Sequence, residues 1–262
     1  MRYTRVFPLL AAASVAVAVS ACDEDNDPTR PRLEAQAFVR YVHAVPDTGA
    51  TDWRPIDRLE LAPPGIAVAY RGSTPYQGIA AGARRIRIFP TSENIDVTSQ
   101  ILLDTTITFE ATRYYTLVWT GSARSNTDRI IVFQDERPTV SGTQFGVRTI
   151  NVGPSAVDVY AAAPGAGVAP LIPNLAFGTA SDYRLLSTGA TTLRVTPTAS
   201  ATVLASAAAP AGSAGDATLN QDQIAGATIG GSLLTAIVTA PTGTATAPTI
   251  IYLLDNRPAR TP

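Results

Sequence analysis

The chain contains one unit twice, which restricts the fold to an architecture that a segment of about 110 residues can build and then repeat. Val68-Ala69-Tyr70 through Tyr76 to Arg87-Ile88-Phe89-Pro90-Thr91 aligns without a gap on Leu175-Ala176-Phe177 through Tyr183 to Arg194-Val195-Thr196-Pro197-Thr198. Within that stretch Tyr76 meets Tyr183, Gly82 meets Gly189 and Ile86 meets Leu193. An earlier match sets Val39-Arg40 on Val147-Arg148 and Pro46 on Pro154. A later one sets Ile130-Ile131-Val132-Phe133-Gln134-Asp135-Glu136-Arg137-Pro138 on Ile250-Ile251-Tyr252-Leu253-Leu254-Asp255-Asn256-Arg257-Pro258. Three collinear matches define two repeats, over residues 33–139 and 141–259.

Each repeat reads as strands. Ile86 and Ile88 alternate with Arg85 and Arg87, and Leu193 and Val195 alternate with Thr192 and Arg194. A period of two marks a half-buried sheet. Tyr115, Leu117 and Trp119 share one phase, and Tyr114, Thr116 and Val118 the other. Turn-forming groups such as Val45-Pro46-Asp47, Pro63-Pro64-Gly65, Ala81-Gly82 and Gly121-Ser122 recur at short intervals, and no stretch after the N-terminal segment keeps a helical period. The pattern predicts an all-β chain made of two tandem immunoglobulin-like antiparallel β-sandwich domains, without the cysteine pair of antibody domains. The second repeat carries an Ala/Gly-rich insertion near residues 205–231, for which a long exposed loop acting as a mobile linker is expected.

At the N-terminus Arg2 and Arg5 precede an apolar run over residues 6–19, and Ser20-Ala21 lead to Cys22. This is the charged, apolar, small-residue order of a secretory signal. The run is short of the roughly 20 apolar residues that cross a bilayer. Cys22 directly after Ser20-Ala21 resembles the bacterial lipobox. The resemblance implies cleavage between Ala21 and Cys22, lipid on the Cys22 thiol, and a membrane-anchored place in the bacterial cell envelope, facing the periplasm or the cell surface. Residues 1–21 are then the signal peptide, and residues 22–32 an acidic, disordered tether with nothing apolar to bury. Asp23, Asp25 and Asp27 have the spacing of a calcium loop, but Pro28 stands where that loop turns on glycine, so no metal is expected there. Cys22 is the single cysteine, which excludes an intramolecular disulfide and leaves stability to the core.

A net charge of −1 gives no basic excess, so a nucleic-acid partner is not expected. All 20 basic residues are arginine, which fits a GC-rich coding bias better than arginine chemistry. His43 is the only histidine, and it ends the first strand pattern beside Pro46-Asp47. A Ser-His-Asp triad or a zinc site would have to use it, and both need further convergent groups. The structural reading is an imidazole bonded to turn backbone, with Asn151 doing the same at the matching place. Asp135 and Arg137, like Asp255 and Arg257, stand two apart at the end of each repeat and face the same way if extended, so they can pair with each other or cap the final strand where proline stops it. Arg85 and Arg87 point together and could hold a phosphate or an anionic glycan. Trp53 and Tyr114 are the candidates for a sugar-stacking surface, while Trp119 follows the inward phase.

Val39-Arg40-Tyr41-Val42-His43-Ala44-Val45-Pro46-Asp47 resembles the opening of the bacterial domain-of-unknown-function family 4397, where an Asp-Val-Tyr strand follows. The second repeat keeps Val147-Arg148, Pro154 and Val157-Asp158-Val159-Tyr160, whereas the first has Asp52-Trp53-Arg54. The resemblance runs over nearly the whole chain after the signal. It implies an exported or lipid-anchored protein of tandem β domains, and it supplies no catalytic residues and no cofactor. The expected function is a noncatalytic cell-envelope lipoprotein serving as a binding, adhesion or structural module. Its expected partners are a membrane, through the lipid, and an envelope glycan or protein. Two alternatives stand beside it: a carbohydrate-binding accessory module, and a hydrolase with an interdomain site using His43.

Overall fold

The computed structural model describes residues 34–57, 65–153, 155–216, 218–241 and 247–256. The expected signal peptide with Ala21, the expected lipid site Cys22, the expected tether, Pro154 and Arg257-Pro258 lie outside the described residues. The first repeat folds into β1 (Gln36–Ala44), β2 (Thr51–Pro55), β3 (Gly65–Val68), β4 (Gln77–Ala80), β5 (Gly82–Pro90), β6 (Leu103–Phe109), β7 (Tyr114–Thr120) and β8 (Arg129–Gln134), with a one-turn helix at Ile95–Thr98. The second folds into β9 (Gln144–Val152), β10 (Val157–Tyr160), β11 (Ile172–Leu175), β12 (Thr179–Ala180), β13 (Arg184–Ser187), β14 (Thr192–Pro197), β15 (Ala205–Ala208), β16 (Leu233–Thr239) and β17 (Thr249–Leu254).

Strand order is the same in both copies. Sheets β4-β1-β7-β8 and β3-β2-β5-β6 make the first sandwich, and β9-β16-β17, with β12 and β13 on the free side of β9, makes the second with β11-β10-β14-β15. The all-β sandwich reading is correct, with one departure from antiparallel pairing: β1 runs parallel to β7, and β9 parallel to β16. Alternation in sequence reports which side chains share a face and carries no information on strand direction, so this pair was hidden. Ile86 and Ile88 are fully buried in the first core with Trp53 and Trp119, and Leu193 and Val195 take the matching places in the second.

A third cluster joins the two copies. Val42, Ala44, Val118 and Phe133 of the first pack against Ile150, Val152, Ile237 and Leu253 of the second. The β1-β7 and β9-β16 sheets therefore lie face to face, and each is buried on both sides. The half-buried expectation fails here because Thr116 and Val118, on the phase opposite Leu117, are covered by the other copy and are 0% exposed. Burying an aliphatic side chain of this size stabilises by about 1.5–3 kcal/mol, so the third cluster couples the copies energetically.

The Ala/Gly-rich segment is not the mobile linker expected from its composition. Its first four residues are β15, which completes a sheet by pairing antiparallel with β14. Beyond it, bridges Ser213–Ile224 and Asp216–Gln221 close a hairpin. Ala225 and Ala227 are buried, and a Cβ on Gly230 would stand 1.8 Å from the Gly142 carbonyl oxygen. Small residues here let backbone pack on backbone, which composition alone cannot distinguish from disorder.

Candidate functional site

Side chains at alternate positions of β1 leave in opposite directions: Val39 and Tyr41 enter the first core, and Arg40 points at the second copy. Arg40 Nε donates to Thr116 Oγ1 at 2.8 Å, and its Nη2 lies 2.6 Å from Asp255 Oδ1 across the interface. Thr116 donates in turn to Asp135 Oδ2 at 2.6 Å. The matching residue Arg148 donates through Nε to Thr235 Oγ1 at 2.9 Å and through Nη2 to Asp135, while Thr235 donates to Asp255 Oδ2 at 2.7 Å. Each arginine is thus paired with the aspartate of the other copy. Tyr76 and Tyr183 donate to Asp135 and Asp255, both at 2.6 Å, and their rings lie under Arg40 and Arg148. Burial pushes both tyrosine hydroxyls well above their ordinary range, so they remain protonated donors.

Arg40, Arg148, Asp135 and Asp255 are all at most 5% exposed. Two cations and two anions make the set neutral, which is the condition for charge to be tolerated away from water. The Asp135–Arg137 pair is overturned. Strand β8 ends at Gln134, so the two-residue alternation that would align them stops before Asp135, which turns inward to Arg148 while Arg137 lies over the Tyr114 ring at 4.2 Å.

The remaining motif residues also hold the fold. His43 donates from Nε2 to the Gly49 carbonyl at 2.9 Å and accepts at Nδ1 from the Val45 N–H at 3.3 Å. It lies inside the first sandwich, 5.0 Å from the Trp119 ring centroid, and is 0% exposed. It does not face the space between the copies, where an interdomain site would need it. Burial outweighs the bond to Gly49 and lowers its pKa below the ordinary 6.5, so the imidazole is neutral at pH 7. Asn151 reproduces the arrangement: its Nδ2 donates to the Ser155 and Leu175 carbonyls, and its Oδ1 accepts from Gly153 N–H at 2.9 Å. Asp52 and Asp158 accept from the backbone N–H of Ala67 and Asn174, which have φ of 53° and 44°. These carboxylates pin a left-handed residue at the matching bulge of each sandwich.

The sequence-derived surface candidates separate. Trp53, expected outside, is 0% exposed and stacks near Tyr41 at 6.1 Å in the first core, because β2 turns its central residue inward. Arg85 and Arg87 do point together, but both bond Asp104, at 2.7 Å each. Hydrogen bonds from Arg85 and then Arg87 bring the Asp104 carboxyl down to about 2, so the cluster carries its own anion. Tyr114 is half-buried and belongs to a different place, where the chain crosses from one copy to the other.

Three clefts open there, of about 960, 840 and 490 Å³, and Arg137 is the one described residue that lines all of them. Phe38 stacks on Tyr114 with centroids 4.8 Å apart, and Tyr76 meets Tyr114 edge-on at 5.2 Å. Ile224 from the insertion hairpin and Leu254 from β17 stand on the rim of the second cleft, 55% and 43% exposed. Phe38 faces Tyr114 across β1-β7, and the corresponding pair across β9-β16 is Gly146 and Leu233. The aromatic wall is therefore a property of one copy. Sequence reasoning found Tyr114 as a surface residue, missed Phe38, and marked Tyr76 and Arg137 only as repeated residues with no link to a cleft; the available signal for Phe38 was an outward-phase aromatic on β1 with no counterpart in the other repeat. Phe38 and Arg137 lie over the Tyr114 ring and Arg40 over the Tyr76 ring, so Phe38 is the ring this wall can turn to another ring or a C–H face, and the arginine beside it can bond an anion. Among the described residues no three His, Cys, Asp or Glu side chains converge to hold a metal.

Two immunoglobulin-like sandwiches fused through a reciprocal ion-pair face define the class of this protein. Residues 35–162 match the family described as a domain of unknown function, DUF4397. That stretch covers the first sandwich and continues through β9 and β10, so it is shorter than the near-complete resemblance expected. It includes Arg40, His43, Asp52, Tyr76, Asp135, Arg148 and Asp158, all engaged in the contacts just described. Among curated proteins none matches the chain.

Proposed function

We propose that the protein is a noncatalytic cell-envelope lipoprotein, held to a membrane through Cys22, in which the fused sandwiches serve as a binding module and the clefts around Arg137 are the ligand surface. The observation that carries the reading is a division of labour among polar residues. The arginine, threonine, aspartate and tyrosine side chains of the reciprocal network are consumed by the fold, while the clefts add Phe38 and Tyr114, which one copy has alone, and the Arg137 guanidinium, which among the described residues no carboxylate closes in an ion pair. His43, the single imidazole, is neutral, enclosed and bonded to loop backbone, which argues against its use as a base in a hydrolase site. A carbohydrate ligand is favoured within this reading by the gathering of Phe38, Tyr76 and Tyr114 at one end of one sheet. The anchor rests on the order Arg2, Arg5, apolar run, Ala21-Cys22. When the full chain is expressed in a bacterial host fed labelled fatty acid, label is expected on the wild type and not on Cys22→Ala. Equal labelling of both would remove the anchor.

A further inference from the structure

We infer that Arg137 is the specificity residue of the clefts and that the ligand is an acidic glycan, read by a carboxylate held on its guanidinium. The inference rests on the carbohydrate reading above and goes one step further. Arg137 is placed differently from the arginines that bond across this interface; Arg129 also rests on a ring, Phe177 at 5.1 Å, but it lines none of the three clefts. Arg40 and Arg148 are closed in ion pairs with Asp255 and Asp135. Arg71 donates to Thr239 and to the Ala240 carbonyl. Arg137 is fixed only through the face of its guanidinium, over Tyr114 at 4.2 Å, and among the described residues it has neither a hydrogen-bond acceptor nor an ion-pair partner. A guanidinium held by its face keeps its N–H edge for a planar anion, and a carboxylate matches that edge in a two-bonded fork.

The acidic residues around it do not fill that role. Asp135 and Asp255 are neutralised inside the interface, and Glu136 accepts from Gln134 at 3.2 Å. The rest of the wall points to a sugar and away from a bare anion. Phe38 offers aromatic surface beside the cation, Ile224 and Leu254 extend the apolar surface, and cavities of about 960 and 840 Å³ meet at Arg137, which is room for more than one ring.

The full chain in detergent micelles tests this on an array of hexuronate and sialate oligosaccharides, their methyl esters, and neutral oligosaccharides. Masking the carboxylate as its ester keeps the ring and removes the anion. The wild type is expected to bind at least one acid about tenfold or more tighter than its ester, with Arg137→Gln abolishing the preference, Arg137→Lys retaining part of it and Arg85→Gln leaving it intact. An unchanged melting temperature of Arg137→Gln makes the loss one of recognition. Binding of acids and esters alike, or a preference that survives Arg137→Gln, overturns the role of Arg137 and leaves the carbohydrate reading standing. Binding of no sugar on the array overturns both.

Discussion

The two copies are alike where they touch each other and unlike where they meet solvent. Arg40, Tyr76, Thr116 and Asp135 recur as Arg148, Tyr183, Thr235 and Asp255, with the same bonds made in the same order. Further along the same sheets, Phe38 and Tyr114 give way to Gly146 and Leu233. A duplicated chain thus carries its own control. What both copies retain at their contact closes the fold, and the Phe38–Tyr114 pair, which one copy has alone, stands in a cleft that a ligand can reach.

The equivalence breaks most severely at the ion pairs. Asp135→Ala leaves Arg148 charged and enclosed without its partner, a loss of about 3–5 kcal/mol, and Asp255→Ala should cost the same range through Arg40. Urea unfolding of both variants checks this. A large loss for one and a negligible loss for the other would show that the two halves of the network are not interchangeable.

A smaller effect is expected where the second copy has what the first lacks. Gly230→Ala drives a Cβ onto the Gly142 carbonyl oxygen, both contacts being backbone, so the hairpin or the linker must shift at a cost of about 1–3 kcal/mol. Wild-type stability in Gly230→Ala would mean the insertion is not built into the structure.

The mildest prediction concerns His43, whose pKa in the folded protein lies below the ordinary 6.5. Between those two values the unfolded chain binds a proton that the folded chain does not. Stability from this site is full above pH 6.5 and falls as pH drops towards the folded pKa, with a slope of at most about 1.4 kcal/mol per pH unit. His43→Asn installs the second copy's solution and should flatten that part of the stability curve. A curve of unchanged slope would remove the imidazole as its source.

Much of this arrangement was legible in the chain. Alternation placed Ile86, Ile88, Leu193 and Val195 inside, and self-alignment picked out Arg40, Tyr76 and Asp135 before their contacts were known. What stayed hidden was partner identity. Sequence spacing offered Arg137 to Asp135, whereas the partner, Arg148, comes from the other copy through a sheet-on-sheet contact that no local pattern records. Thr116 reads as the open phase of a half-buried strand because a polar residue inside a closed network looks the same in sequence as a polar residue in water. Trp53 was misplaced for a related reason: β2 is only five residues long, too short for its phase to be read, and both Thr51 and Trp53 are buried. Phe38 had no counterpart in the second copy, and that absence was the clue to the cleft.

The account stands on the two sandwiches being one folding unit, joined by the third core cluster and the reciprocal ion pairs. Scanning calorimetry of the full chain tests this most directly. A single transition whose calorimetric and van't Hoff enthalpies agree is the predicted result. Two separable transitions, each with the enthalpy of one sandwich, would contradict it.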